Sequence, residues 1–422
     1  MKISSQSESQ AGRVAFLWDQ SFLWGIMAHK ALTEAGLPFD LVRAEDIRQG
    51  CLNRCSALFV PGGWASNKIK ALREEGVQEI RRFVRDGGSY LGFCGGAGLA
   101  TEEGIGLLPV TRRPTRDRVP SFSGRIKLIP SSEHACWRGV EEPIFHAWWP
   151  SQFVIDGDGV SVLATYGTAL PDAFSSDINI GDAETYGTWS ELEQLYQINL
   201  DPKRLAGEPA VLEGTFGKGT VFLSLVHFDT PHDASGAEVL KNLWNYLPGK
   251  ARSDREAANS SHTAGEGRVS DLSSALSDME EAVRDLVAFG IRNFLWFPRN
   301  DMLLQWRRGV RGLEYCTLFV MIQTISERLR VTRPVTTRER ELISSLVQVR
   351  EQLLLFVKKA EGLLLLERAA MQQGHITYET CSDPRIQTLR EELFSRSKSH
   401  GGKFKELLDG LDEILFSLML GR

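Results

Sequence analysis

The chain has 422 residues, 42% hydrophobic and 24% charged, with a net charge of −5, values ordinary for a globular protein large enough for more than one packed core. From Ser270 onward there are 22 basic against 21 acidic residues, and before it 27 against 33, so neither part has the basic excess of a non-specific nucleic-acid binder. The six cysteines form no disulfide framework, CxxC pair or metal-ligand cluster, the polar start MKISSQSESQAG lacks the apolar core of a signal peptide, and no run is apolar enough for a membrane span.

These exclusions point to a cytoplasmic protein with no cofactor, no metal, no nucleic-acid partner and no membrane contact. In chain order, residues 13–18 (RVAFLW) read as a buried strand and 21–36 as a helix ended by Gly36. Residues 39–43 and 57–60 read as further strands. Residues 67–86 form a helix closed by Gly87-Gly88, and 89–93 (SYLGF) the next strand. Such alternation predicts an α/β fold, a doubly wound and mostly parallel sheet with helices on both faces. After Arg125 the pattern turns to mixed strands and polar loops. Order returns with a hairpin, 210–216 and 220–226, whose second strand VFLSLV is buried on both faces, and with a closing helix at 237–247.

Residues 249–268 are small, polar and charged without hydrophobic period, and read as a linker between a domain at 12–248 and a helical one at 269–422. Pro298, Pro334 and a His-Gly-Gly break divide the second domain into four expected long antiparallel helices, an all-α bundle. In it, Leu342, Leu346, Val349, Leu353, Phe356, Ala360 and Leu363 make one apolar seam at heptad spacing. That seam can serve an internal core, a protein partner or self-association. The basic run Arg307, Arg308 and Arg311 reads as a solvated helix face.

The central motif is Gly92-Phe93-Cys94-Gly95-Gly96, a GxCxG run between the strand SYLGF and a helix starting at Gly95. The sharp turn leaves no room for flanking side chains and lifts the thiol above the strand's C-terminal edge, where open α/β sheets bind ligands. A helix N-terminus there favours the thiolate. Gly62 and Gly63 of the upstream PGG run offer bare backbone N–H groups for an oxyanion hole, with Gly95 supplying another. His227 and Asp229 follow VFLSLV two residues apart, so both can face the sheet edge, one as base and one holding its tautomer. His134, His146 and His232 are rival bases without so direct a strand placement. Trp18, Asp19 and Trp64, at or just past strand ends, are candidates to wall the pocket.

Together PGG, GxCxG and HxD resemble the class I glutamine amidotransferase-like fold. FVPGGW, IRRFVRDGGSYLGFCGGA and GTVFLSLVHFD resemble more closely still the N-terminal domain of biotin–protein ligases and its free-standing bacterial relatives. The resemblance covers about residues 12–248 and implies a Cys94–His227–Asp229 triad with an oxyanion hole around Gly63 and Gly95. The chain departs from glutaminases of this fold in two places: Gly98 stands where they carry Gln, and His227-Phe228-Asp229 where they carry HPE. No synthase-like segment and no biotin-ligase GRGRxG loop follows. Two readings therefore stand: a cysteine hydrolase or amidase acting on a small amide or acyl compound, and a non-catalytic ligand-binding or regulatory module read out by the helical domain. A third makes the chain a scaffold built on that helical region.

Overall fold

The computed structural model describes residues 13–246 and 269–420, apart from 132, 332–335, 375, 378–380, 382 and 397–398; the expected linker at 249–268 and the expected break at Pro334 lie outside these. The chain splits into two compact units, Met1–Glu256 and Ala257–Arg422.

The principal strands of the first unit are β1 (Arg13–Leu17), β2 (Asp40–Val42), β3 (Cys55–Val60), β4 (Ser89–Phe93), β5 (Phe122–Pro130), β6 (Ile144–Trp148), β7 (Val160–Ala169), β8 (Pro209–Phe216) and β9 (Gly219–Ser224). The parallel part runs β2-β1-β3-β4-β9. The sheet then continues antiparallel through β8, β7 and β5, with β6 paired to β5. This is the α/β wound sheet the alternation predicts, with an antiparallel wing where the sequence reads only as mixed strands. Apolar side chains fill the parallel part because it is covered on both faces: every residue of β4 is buried. Edge-to-face pairs link Phe16 to Phe59 and Phe59 to Phe93, each at 5.1 Å, tying β1, β3 and β4 together.

Helices α1 (Phe22–Glu34), α2 (Ala65–Arg85), α3 (Gly95–Leu99) and α4 (Ala234–Tyr246) connect or close the strands. The predicted second hairpin strand at 220–226 is β9, which ends at Ser224. Leu225 still donates to Ala210 O on β8 at 2.9 Å, and the ladder gives way at Val226, whose N–H turns to Ser224 Oγ at 3.2 Å.

In the second unit the described residues contain five helices: α5 (Val269–Arg292), α6 (Gly312–Val331), α7 (Thr336–Ala370), α8 (Pro384–Phe394) and α9 (Gly402–Met419). Four long helices were expected; Asp383 caps the additional short one. Pro298, expected to break a helix, instead ends a strand (Trp296–Pro298) paired with Leu304–Trp306. The α7 seam is internal: Leu346, Val349, Leu353, Phe356, Ala360 and Leu363 are buried, and α7 packs on α5 and α9.

Phe394 gathers the aromatic core, with Tyr315, Phe356 and Phe404 at 6.0, 5.8 and 5.7 Å. Arg311 is not on a solvated helix face. It sits before α6, paired with Glu314 at 3.0 Å and stacked over Phe394 at 5.2 Å. Deep in the same core Arg390 Nε donates to Glu367 Oε1 at 2.7 Å, both side chains being almost wholly buried. Among the described residues no helix is long and apolar enough to cross a membrane.

Candidate active site

Cys94 links β4 to α3 with φ 50° and ψ −105°, a backbone conformation that a non-glycine residue holds only under constraint. The constraint is visible in the packing. A Cβ on Gly95 would lie 1.7 Å from the Gly63 carbonyl oxygen, and one on Gly96 1.9 Å from that of Val60. The elbow is therefore pressed against the PGG loop, and glycine is the residue that fits. The Cys94 N–H donates to Ser224 O at 2.7 Å, so the elbow's backbone is tied to the end of β9. The side chain is half-buried, its Sγ 4.0 Å from Trp148 O.

Three residues past β9 stands His227. Its own N–H donates to His146 O at 2.7 Å, which anchors it to β6. Nδ1 lies 2.9 Å from Asp229 Oδ1, and both side chains are buried. Phe228 points the other way, into the core, against Phe145 at 4.8 Å and Phe93 at 5.6 Å. The alternation expected of a strand end thus holds beyond the strand itself, and Phe228 is a core residue.

Burial alone would push the His227 imidazole down, but the charges of Asp229 and Cys94 outweigh it and raise it to about 10. The Cys94 thiol acts on the ring by charge and by a loose hydrogen-bonding approach, and Nε2 is buried with no partner at full hydrogen-bond geometry. Gly62 completes the contact: a Cβ there would lie 3.1 Å from His227 Cε1. Neither the Gly63 nor the Gly95 N–H has a hydrogen-bond partner among the described residues.

The expected pocket walls are placed differently. Trp18 is fully buried beneath α1, and Trp64 is 39% exposed at the start of α2. Asp19 has both carboxylate oxygens engaged, one by Arg43 at 2.9 Å and the other by the Ala44 N–H, so it joins strand ends. The aromatic groups at the site are Trp24, whose ring lies 5.1 Å from that of His227, and Trp149, edge-on to Trp24 at 6.1 Å. Trp24 sits in the first turn after β1, at the C-terminal edge of the sheet; that position, rather than the strand itself, was the signal to follow. The rival histidines are engaged otherwise: His134 caps a turn at Cys136, His146 lies beside His227 but turns its ring to Asp233 at 3.4 Å, and His232 is exposed beside Glu34.

Two shallow, open clefts lie away from the elbow. One, at the opposite end of the strands, is lined by Cys55, Arg82, Asp86 and Gly88, and the other by Thr115, Glu193 and Asn199. Neither brings a base to a nucleophile. Among the described residues no group of His, Cys, Asp and Glu is arranged to hold a metal ion.

The wound sheet, with a cysteine elbow facing a glycine loop, is the architecture of the class I glutamine amidotransferase-like proteins. The chain belongs to this superfamily through its first unit: it is 30% identical over 173 residues to the pyridoxal 5'-phosphate synthase subunit PdxT of Halorubrum lacusprofundi, covering 37% of this chain and 79% of that protein. In particular, the biotin-protein ligase N-terminal family matches residues 43–104. Among solved structures, a Thermoplasma acidophilum protein assigned to GMP synthase is 13% identical with a TM-score of 0.35, over 55% of this chain and 92% of that one. A β-galactosidase from Rahnella sp. R3 is 16% identical with a TM-score of 0.36, over 56% and 32%. Likeness at that level carries no functional meaning.

Proposed function

We propose that the first unit is a cysteine-dependent hydrolase of the amidase type, acting on a small amide or related acyl compound. The observation that carries this reading is the His227–Asp229 pair, buried at 2.9 Å with Nε2 left open beside Cys94. Asp229 and Cys94 both favour the charged imidazole against its burial, and a thiolate is the form of cysteine that attacks a carbonyl carbon. The thiolate attacks the carbonyl carbon, and the N–H groups of Gly63 and Gly95 take the negative oxygen. Collapse breaks the C–N bond as Nε2 gives its proton to the leaving amine, leaving a thioester. Water then attacks, His227 takes its proton, and the acid leaves as the thiolate returns.

Gly98 offers no side chain to hold glutamine as the family's Gln does. Ammonia release from millimolar glutamine is therefore expected to stay at background. The same position also supports a second reading, a ligand-binding or regulatory module: a Cβ on Gly98 would meet Arg112 Nη1 at 3.1 Å, so an arginine borders that space.

Limiting iodoacetamide followed by mass-spectrometric mapping separates the two. Burial pushes the Cys51 and Cys316 thiols up to about 12, so a reactive Cys94 labels first at pH 7. Labelling spread over other cysteines before Cys94 removes the catalytic reading.

A further inference from the structure

One stretch of the chain carries charge of a single sign. Between Arg138 and Lys203 there is no lysine or arginine, against eleven aspartates and glutamates. Outside it basic residues outnumber acidic ones, 49 against 43. The stretch includes two short helices, Ile180–Tyr186 and Trp189–Tyr196, in the connection from β7 to β8. They meet at Gly187, where an added Cβ would lie 3.7 Å from Leu192 Cδ1.

The second helix holds apolar residues that its fold does not use. Trp189, Leu192, Leu195 and Tyr196 share one stripe at helical spacing, yet no residue of this helix is buried. Leu195 is 55% exposed, and Tyr186, at the end of the first helix, is 88% exposed, the most of any large apolar side chain among the described residues. A helix of eight residues has little stability of its own. What fastens it is a charge. Glu193 accepts from Arg204 Nε and Nη2 at 3.0 and 2.7 Å, and from the N–H groups of Leu200 and Asp201. The other acids nearby are uncompensated: Asp182, Glu184 and Glu191 are exposed, and none of their carboxylates has an ion pair or hydrogen bond among the described residues.

We infer that these two helices form a docking surface for a basic amphipathic helix of another protein. Its apolar face would cover Tyr186, Leu192 and Leu195, and its lysines or arginines would meet Asp182, Glu184 and Glu191. Apolar anchors supply affinity in such contacts, and the charged rim supplies orientation and rate. A nucleic acid or an anionic membrane would face the same carboxylates and be repelled. A second copy docked face to face through this surface would set carboxylate against carboxylate. A purely apolar partner gives no reason for so long a stretch without one basic residue. None of these side chains is among those placed around Cys94, so the surface stands apart from the proposed chemistry.

A dye-labelled amphipathic helix of leucine and lysine tests this, titrated with the full chain and followed by fluorescence anisotropy. A peptide of the same composition in scrambled order, which presents no single apolar face, is the control. The amphipathic peptide should bind about tenfold tighter than the scrambled one, and more weakly as salt is raised. Tyr186→Ser with Leu195→Ser should remove most of that preference, and Glu184→Lys with Glu191→Lys should weaken binding about tenfold. These side chains are exposed, so melting and Cys94 labelling should stay as in the wild type. Glu141→Lys with Glu142→Lys makes the same change in net charge at exposed positions outside the helices, and should leave binding within about twofold. Absence of binding, equal binding of both peptides, or an equal loss in the Glu141 and Glu142 variant overturns the surface. Self-association in sedimentation that the Tyr186 and Leu195 variant abolishes would assign the face to a second copy and overturn the partner. Binding of anionic phospholipid vesicles that the same variant abolishes would overturn it in favour of a membrane.

Discussion

The first unit buries His227 against Asp229 at 2.9 Å, and the second buries Glu367 against Arg390 at 2.7 Å. In the helical unit the arginine is engaged on every nitrogen: Nε by Glu367, Nη1 by Thr377 O at 2.5 Å and Nη2 by Gly309 O at 2.9 Å. In the wound sheet the histidine is held on one nitrogen only, and Asp229 Oδ2 also has no partner. A buried charge that is saturated holds elements together; one left half-coordinated beside a thiol carries a desolvation cost that packing alone does not explain. The contrast teaches where to look for chemistry in a chain of two separately packed units.

The comparison breaks most visibly at His227. His227→Gln should slow alkylation of Cys94 at pH 7 by about 100-fold or more, as measured by mapped iodoacetamide labelling. Labelling at the wild-type rate would mean that the open nitrogen serves no proton transfer. Arg390→Met should act on stability instead. It strands Glu367 and two backbone carbonyls in the core, at a cost of about 3 kcal/mol. Denaturant unfolding that follows the helical unit checks this, and Cys94 labelling should not change.

The pH dependence of stability sharpens the contrast, because both groups are raised in the folded state but over different windows. Burial pushes Glu367 from 4.5 up to about 7 against the pull of Arg390. Its contribution is complete below pH 4.5 and is lost as pH rises through about 7. His227 goes from 6.5 to about 10, so its contribution is complete below 6.5 and is lost as pH rises through about 10. Melting curves across pH 4–10 should lose the first slope in Glu367→Gln and the second in His227→Gln; slopes that survive both would refute the assignment. The smallest effect is expected at Gly98. Its added Cβ would meet only the far end of Arg112 at 3.1 Å, so Gly98→Ala should change stability by less than about 1 kcal/mol in either direction. A larger loss in a melting experiment would show that Arg112 cannot yield.

Much of the sheet was legible because strands buried on both faces must be continuous apolar runs. RVAFLW and SYLGF announce themselves, and the glycines around Cys94 mark the elbow. The end of β9 was not legible, since Leu225 and Val226 look like more strand and only the local bond from the Val226 N–H to the Ser224 hydroxyl marks where the ladder stops. At the site, Cys94, His227 and Asp229 could be named from motif and alternation. Trp24 could not: its approach depends on how a helix turn folds over the sheet edge, which no local period records. In the helical unit the α7 seam was readable from its spacing. The strand pair around Pro298 was hidden because a lone proline between helical patterns looks like a simple stop.

The tie between the Cys94 N–H and Ser224 O has a consequence for how the chain comes to life during synthesis. β4 leaves the ribosome long before β9, which enters the sheet only after the whole antiparallel wing has been made, and docks against β4 from Tyr90 to Phe93. Until that late strand arrives, the cysteine lacks its proton acceptor and one of the bonds that hold its unusual backbone angles. Closure of this long-range pairing is a slow, high-contact-order step, and it is the step that completes the site. A chain truncated before Gly219 therefore lacks both the Ser224 carbonyl that holds the Cys94 N–H and the His227 ring beside it.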